Sequence, residues 1–246
     1  MRNAAILLAI ILGACDPSVP LVEPEQGDGT FISGKNCRIP ADLAPPTEPT
    51  PPDNIPDAPT AGYVVALSWS PEFCRFRGEE ERHRGQCQDN RFGFILHGLW
   101  PQAAEGAHPR SCALAEPVSL DLMRQNFCMM PSAYLLQHEW AAHGTCQWDS
   151  PEAYYEQSAE LWEAIERPDL FALSRTQNLN AGMIRSSFVI ANADLPPSAV
   201  GVDLDNNGWL EEVFICLDVD FSPRPCDPRE YGAPDERAAS IWRGGR

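Results

Sequence analysis

A chain of 246 residues, 43% hydrophobic and 22% charged, is long enough to bury a core once its ends are set aside; the remainder suits one domain of roughly 170 residues. Its formal net charge of −17 excludes a sequence-independent nucleic-acid coat, which needs a basic surface. It leaves room for an enzyme that handles nucleic acid in a locally positive cleft.

The chain opens with Met1-Arg2-Asn3, an apolar run over residues 4–12, and then Gly13-Ala14-Cys15. One basic residue, a short apolar stretch and small residues have the form of a secretory signal, and the run is too short to span a bilayer. Leu12-Gly13-Ala14-Cys15 resembles a bacterial lipobox, in which Cys15 becomes an acylated N-terminus and anchors the chain to a membrane. Plain cleavage near Ala14 is the other reading. Residues 1–15 are thus read as an export signal, and the mature chain as periplasmic or extracellular, free or anchored. Of nine cysteines, eight remain if Cys15 carries lipid: Cys37, Cys74, Cys87, Cys112, Cys128, Cys146, Cys216 and Cys226. An even number in an exported chain implies a disulfide framework, with roughly a hundred possible pairings. No C-x-x-C pair occurs, which weakens metal and redox readings.

Residues 16–61 are rich in Pro, Asp, Glu and Thr and read as an extended spacer, although a bridge from Cys37 would pin part of it. Residues 62–69 are β-branched and aromatic and predict a buried strand closed by Pro71. Residues 79–84 read as a charged loop. Residues 92–96 predict a second buried strand, running into His97-Gly98-Leu99-Trp100-Pro101-Gln102. A histidine at a strand end followed by Gly and Trp-Pro is held rigidly at a sheet margin; a satisfied core histidine is the bland alternative. Residues 119–130 predict a helix with Leu120, Met123 and Phe127 on one side.

Residues 135–143 predict a further helix and carry the densest chemistry: His138-Glu139-Trp140-Ala141-Ala142-His143-Gly144-Thr145-Cys146. Glu139 and His143 are i and i+4, on one face and within reach of each other. A carboxylate beside an imidazole raises its proton affinity and fixes its orientation. His138 and His143 are i and i+5, about 140° apart, so one zinc ion cannot take both from a regular helix. Ser150 and Pro151 open another helix, which Pro168 ends; residues 183–191 predict a shorter one. Val200–Leu204 and Leu210–Leu217 flank Asp205-Asn206-Asn207-Gly208 and predict a β-hairpin. Asp203, Asp205 and Asn207 imitate the start of a calcium loop, but Phe214 stands where its bidentate glutamate would be. Residues after Tyr231 read as an unstructured tail, 231–246, behind a domain of residues 62–230.

Two segments together resemble the ribonuclease T2 family: residues 94–102, with His97-Gly98-Leu99-Trp100-Pro101, and residues 138–146. Residues 67–74 look like its opening strand, and residues 212–226 like its late strand and disulfide. The resemblance covers about residues 62–228. It implies an α+β fold, a central, largely antiparallel sheet flanked by helices and stapled by disulfides. It implies an endoribonuclease that cleaves single-stranded RNA by transphosphorylation through a 2′,3′-cyclic phosphate to 3′-phosphate ends, with no cofactor and no metal, acting as a monomer. By resemblance, His143 is the base for the 2′-OH, His97 the acid for the leaving 5′-oxygen, Glu139 the group that orients His143 and stabilises the phosphorane, and His138 a phosphate ligand. Trp100 and Gln102 would contact the base; Gln both donates and accepts, implying low base specificity. The family usually has a lysine where this chain has Ala142. Either an arginine such as Arg91 or Arg110 substitutes, or His138 carries the charge alone, or the chain is a weak or inactive RNA-binding relative. The resemblance also implies the pairs Cys112–Cys146, Cys216–Cys226 and Cys74–Cys87, leaving Cys37–Cys128.

Overall fold

Tyr63, Val64, Val65, Ala66 and Leu67 are all buried, so the strand that carries them, β1 (Thr60–Trp69), lies inside a sheet with both faces covered. The structure, a computed structural model, describes residues 37–45 and 58–244. The export signal, Cys15 and most of the spacer fall outside the described residues.

The chain leaves β1 into α1 (Ser70–Arg77). Pro71, expected only to close the strand, sits in the first turn of this helix, where its missing N–H is no loss. The stretch read as a charged loop instead forms a 3-10 turn (Glu81–His83) leading into α2 (Arg84–Cys87). β2 (Phe94–Ala103) passes the expected end at Leu96 and holds residues 97–102 within the sheet. Serines 119, 132 and 150 cap the next three helices, α3 (Leu120–Asn126), α4 (Ala133–Ala142) and α5 (Pro151–Ala164), accepting from the N–H groups of Leu122, Leu135 and Ala153. α4 stops one residue before His143, whose φ of −125° is not helical, and a 3-10 turn (Gly144–Cys146) follows. α5 ends at Ala164, short of Pro168, because Ile165 turns extended. After α6 (Leu170–Leu173) and α7 (Ala181–Ala191) come β3 (Val200–Leu204), β4 (Leu210–Leu217) and α8 (Pro228–Tyr231).

The strands lie in the order β2-β1-β4-β3, every neighbouring pair antiparallel, so the fold is α+β. On one face Leu67, Leu96, Val213 and Val202 pack with Leu136 and Trp140 of α4, Tyr154 of α5 and Phe188 of α7. The β3–β4 turn is an Asx turn: Asp205 Oδ1 accepts from the N–H of Asn207 (2.8 Å) and of Trp209 (2.7 Å), with Gly208 at φ 85°.

The segment after Tyr231 is not the unstructured tail expected. Ala239 N–H donates to Leu179 O, Leu210 N–H to Ser240 O, and Ile241 is buried. The buried guanidinium of Arg185 donates to the Asp235 carboxylate and to the carbonyls of Tyr231 and Ala233. A segment that adds single hydrogen bonds to existing edges has no periodicity by which to recognise it. Four disulfides staple the domain: Cys37–Cys128, Cys74–Cys87, Cys112–Cys146 and Cys216–Cys226. The first draws residues 37–45 onto the domain, where Arg38 and Asn90 exchange two hydrogen bonds of 2.8 and 2.9 Å.

Candidate active site

Leu67 pairs with Leu96 and Ala66 with Gly98, so His97 is an extra residue in the β1–β2 ladder. A bulge of this kind re-aims a side chain. Here it lets Leu96 and Leu99 both enter the core while His97 emerges on the other face. That face carries a row across all four strands: Asp203 opposite Glu212, Glu212 opposite Ser68, Ser68 opposite Ile95. His97 Nδ1 lies 2.6 Å from Glu212 Oε1, and Ser68 Oγ–H donates to the same oxygen at 2.5 Å.

Glu139 arrives from α4, 1% exposed. Its carboxylate accepts the indole N–H of Trp100 at 2.8 Å. Three imidazole Nε2 atoms gather around it: His97 at 3.6 Å, His143 at 3.9 Å and His138 at 4.0 Å. Gly98 makes this approach possible, since a Cβ there would collide with Glu139 Oε2 and Trp100 Nε1. The Trp100 ring stacks on His143, centroids 5.4 Å apart. His143 is buried, with no hydrogen-bond partner for its Nδ1 among the described residues. Arg110 enters from the loop between β2 and α3, Nη2 3.3 Å from His138 Nε2. Ser111 N–H holds that loop to Ala142 O at 2.8 Å, and Cys112–Cys146 staples it to the turn after α4.

These neighbours push the protonation states apart. Burial alone would lower the proton affinity of His97, but the Glu212 and Glu139 carboxylates outweigh it and raise its pKa to about 9. Burial raises Glu139 to about 7, against the pull of His97 and the Trp100 N–H. His143 drops to about 3 through burial and through the positive charge of Arg110, His138 and His97. His138 is lowered by burial and by Arg110. At neutral pH His97 therefore holds a second ring proton and His143 does not. Neighbouring groups separated in this way let one site supply both an acid and a base.

Of the residues singled out in the sequence, His97, Trp100, His138, Glu139 and His143 come together. Gln102 does not. It is 4% exposed, and its Nε2 donates to Trp100 O at 3.1 Å. β2 continues through Gln102, past the strand end expected at Leu96, so this side chain is packed in the sheet rather than gathered with the histidines. Glu212 and Ser68 were missed as site residues. The signal for Glu212 was a pair of charged residues, Glu211 and Glu212, in an otherwise apolar strand. The cleft itself, about 600 Å³, is lined by His97, Glu212 and His138 with Phe73, Phe76 and Tyr134 among others.

An antiparallel α+β fold with a bulged His-Gly-Leu-Trp-Pro strand and a His-Glu helix facing one cleft agrees with the family comparison: the model of the Ribonuclease T2 family matches residues 61–185, and this chain belongs to that family. Among its relatives, a protein described as a probable ribonuclease of Haemophilus influenzae is 34% identical over 184 residues, 70% of this chain and 63% of that protein. A ribonuclease of Aeromonas hydrophila is 40% identical over 114 residues, 46% of this chain and 49% of that one. The match thus spans less than two thirds of either relative. Solved structures with this fold include an RNase-related protein from Calystegia sepium, with TM-score 0.59 and 19% identity over 74% of this chain and 96% of that one. Trichomaglin, an S-like ribonuclease, has TM-score 0.58 and 19% identity over 74% and 97%.

Proposed function

We propose that this chain is a metal-independent endoribonuclease that cleaves single-stranded RNA by transphosphorylation. The observation that carries this reading is the gathering of His97, His138 and His143 around one buried carboxylate; the raised proton affinity of His97 and the lowered one of His143 suit them to acid and base. Neutral His143 takes the proton of the ribose 2′-OH as the 2′-oxygen bonds to phosphorus. The P–O5′ bond breaks, and His97 gives its proton to the leaving 5′-oxygen. The products are a 2′,3′-cyclic phosphate and a 5′-hydroxyl; water then attacks the cyclic phosphate with the two roles exchanged, leaving a 3′-phosphate. Glu139 offsets the charge that builds on His143. The positive charges of Arg110 and His97 that help depress His143 are the charges a bound phosphate neutralises, so substrate itself strengthens the base.

Arg110 supplies, at this site, the positive charge that the resemblance assigns to a lysine in the place of Ala142. Ala142 is 3% exposed, and the loop that brings Arg110 is bonded to its carbonyl. Low base specificity is supported by Phe73, Phe76 and Tyr134 in the cleft, since an aromatic face stacks on any base. We further place the chain outside the cytoplasm as a monomer: four disulfides persist in oxidising compartments, and residues 1–15 have the form of an export signal, with Cys15 as its lipid anchor.

Purified protein incubated with RNA in EDTA at pH 5–7 should yield 2′,3′-cyclic and then 3′-phosphate ends. His97→Ala and His143→Ala should abolish cleavage. Arg110→Gln should lower kcat/KM about 10²–10³-fold, the usual effect of removing one transition-state charge contact. RNA bound tightly but left intact by the unaltered protein would overturn the reading in favour of a non-catalytic relative.

A further inference from the structure

We propose that Glu212 is the positioning residue for His97, fixing the tautomer and aim of the ring so that Nε2, not Nδ1, faces the reacting phosphate. The inference rests on the ribonuclease reading above and deepens it. His97 sits on a bulge, where its backbone has no partner across the ladder, so strand pairing does not hold the ring in place. The Glu212 carboxylate does, 2.6 Å from Nδ1. Glu212 is in turn held by its position opposite Ser68 in the β1–β4 ladder and by the Ser68 Oγ–H on the same oxygen. An imidazole bound at Nδ1 by a carboxylate presents its second N–H at Nε2, and that nitrogen is the one turned toward Glu139, 3.6 Å away.

The other groups facing this pair are consistent with the assignment. Glu139 adds a second anion from α4, and Arg110 opposes both from its loop. On β3, Asp203 has its proton affinity raised by burial and by Glu212, while Glu212 is held low against burial by His97 and by Ser68. Glu212 is therefore the member of this acidic row that holds its charge more readily. It touches no reacting atom and acts through His97, so its effect must appear in the titration of that ring.

The test is an NMR titration of His97 in the full chain with disulfides intact, alongside the pH profile of kcat/KM. In Glu212→Gln, the His97 pKa should fall by about 1–3 pH units, the usual effect of losing an adjacent opposite charge. The alkaline limb of the profile should move down by the same amount, with kcat reduced and KM little changed. Glu212→Asp, which keeps the carboxylate, should recover most of that limb. An unmoved His97 titration in folded Glu212→Gln overturns the proposal. Should that variant not fold, Glu212→Ser decides: a fall of the His97 pKa in the same direction supports it, and an unmoved titration overturns it. The titration needs no turnover, so a chain that cleaves no RNA would sink the activity while leaving this test readable.

Discussion

At the scale of single residues, the site is a matter of which ring keeps its proton. With His143 held to about 3 and His97 raised to about 9, the proposed acid–base pair keeps the proton on His97 alone across a wide range. While the fold persists, kcat/KM should stay appreciable well below the ordinary histidine value of about 6.5 and fall on the alkaline side as His97 loses its proton. Glu139 takes up a proton as the pH drops through about 7, which adds a step to the profile without removing either partner. An acid limb at an ordinary histidine value would show that burial does not govern His143. Gly98 is the second residue on which everything turns. Gly98→Ala inserts a methyl group between the Glu139 carboxylate and the Trp100 indole. We expect about 1–3 kcal/mol of lost stability, as for other overpacked sites, and a larger loss of kcat, because the displaced carboxylate is the one the histidines share. Thermal unfolding and steady-state kinetics on the same preparation separate the two effects.

At the scale of elements, α4 was legible because its chemistry is local: Glu139 and His143 lie one turn apart. Its end was less legible, since nothing in the composition says that the helix stops at Ala142. The partner of His97 was not legible at all. Glu212 lies 115 residues away, and only the register of three strands brings it there. The bulge was hidden for a related reason. Residues 92–96 form a continuous apolar run with no alternation, so a shift of phase at His97 leaves no trace in the pattern. Pro71 was read as a strand stop, which it is, but also starts a helix. The C-terminal segment shows how far such contacts matter. Truncation after Tyr231 would leave the buried Arg185 without the Asp235 carboxylate and the Ala233 carbonyl. Removing a partner from a buried charge typically costs about 3–5 kcal/mol; the exposure of Asp235 (63%) places the expected loss toward the lower end. Chemical denaturation of the truncated chain measures it, and an unchanged midpoint would show that the segment is dispensable.

At the scale of the whole molecule, the four disulfides do different work, and stability and activity should rank them differently. Their closed loops span 91 residues for Cys37–Cys128, 34 for Cys112–Cys146, 13 for Cys74–Cys87 and 10 for Cys216–Cys226. In the chain-entropy account, the first stabilises by about 4.5 kcal/mol, the second by about 3.7 and the two shortest by roughly 3 each. Paired Cys→Ser replacement should therefore cost most stability at Cys37–Cys128. Activity follows geometry instead. Cys112–Cys146 joins the loop that carries Arg110 to the turn just after His143, so its loss frees both the proposed transition-state cation and the proposed base. Cys112→Ser/Cys146→Ser should lower kcat/KM more than Cys37→Ser/Cys128→Ser does, when both are measured well below their unfolding temperatures. The same order in both measurements would mean that the disulfides act on the site only through global stability, and that the Arg110 loop does not need its staple.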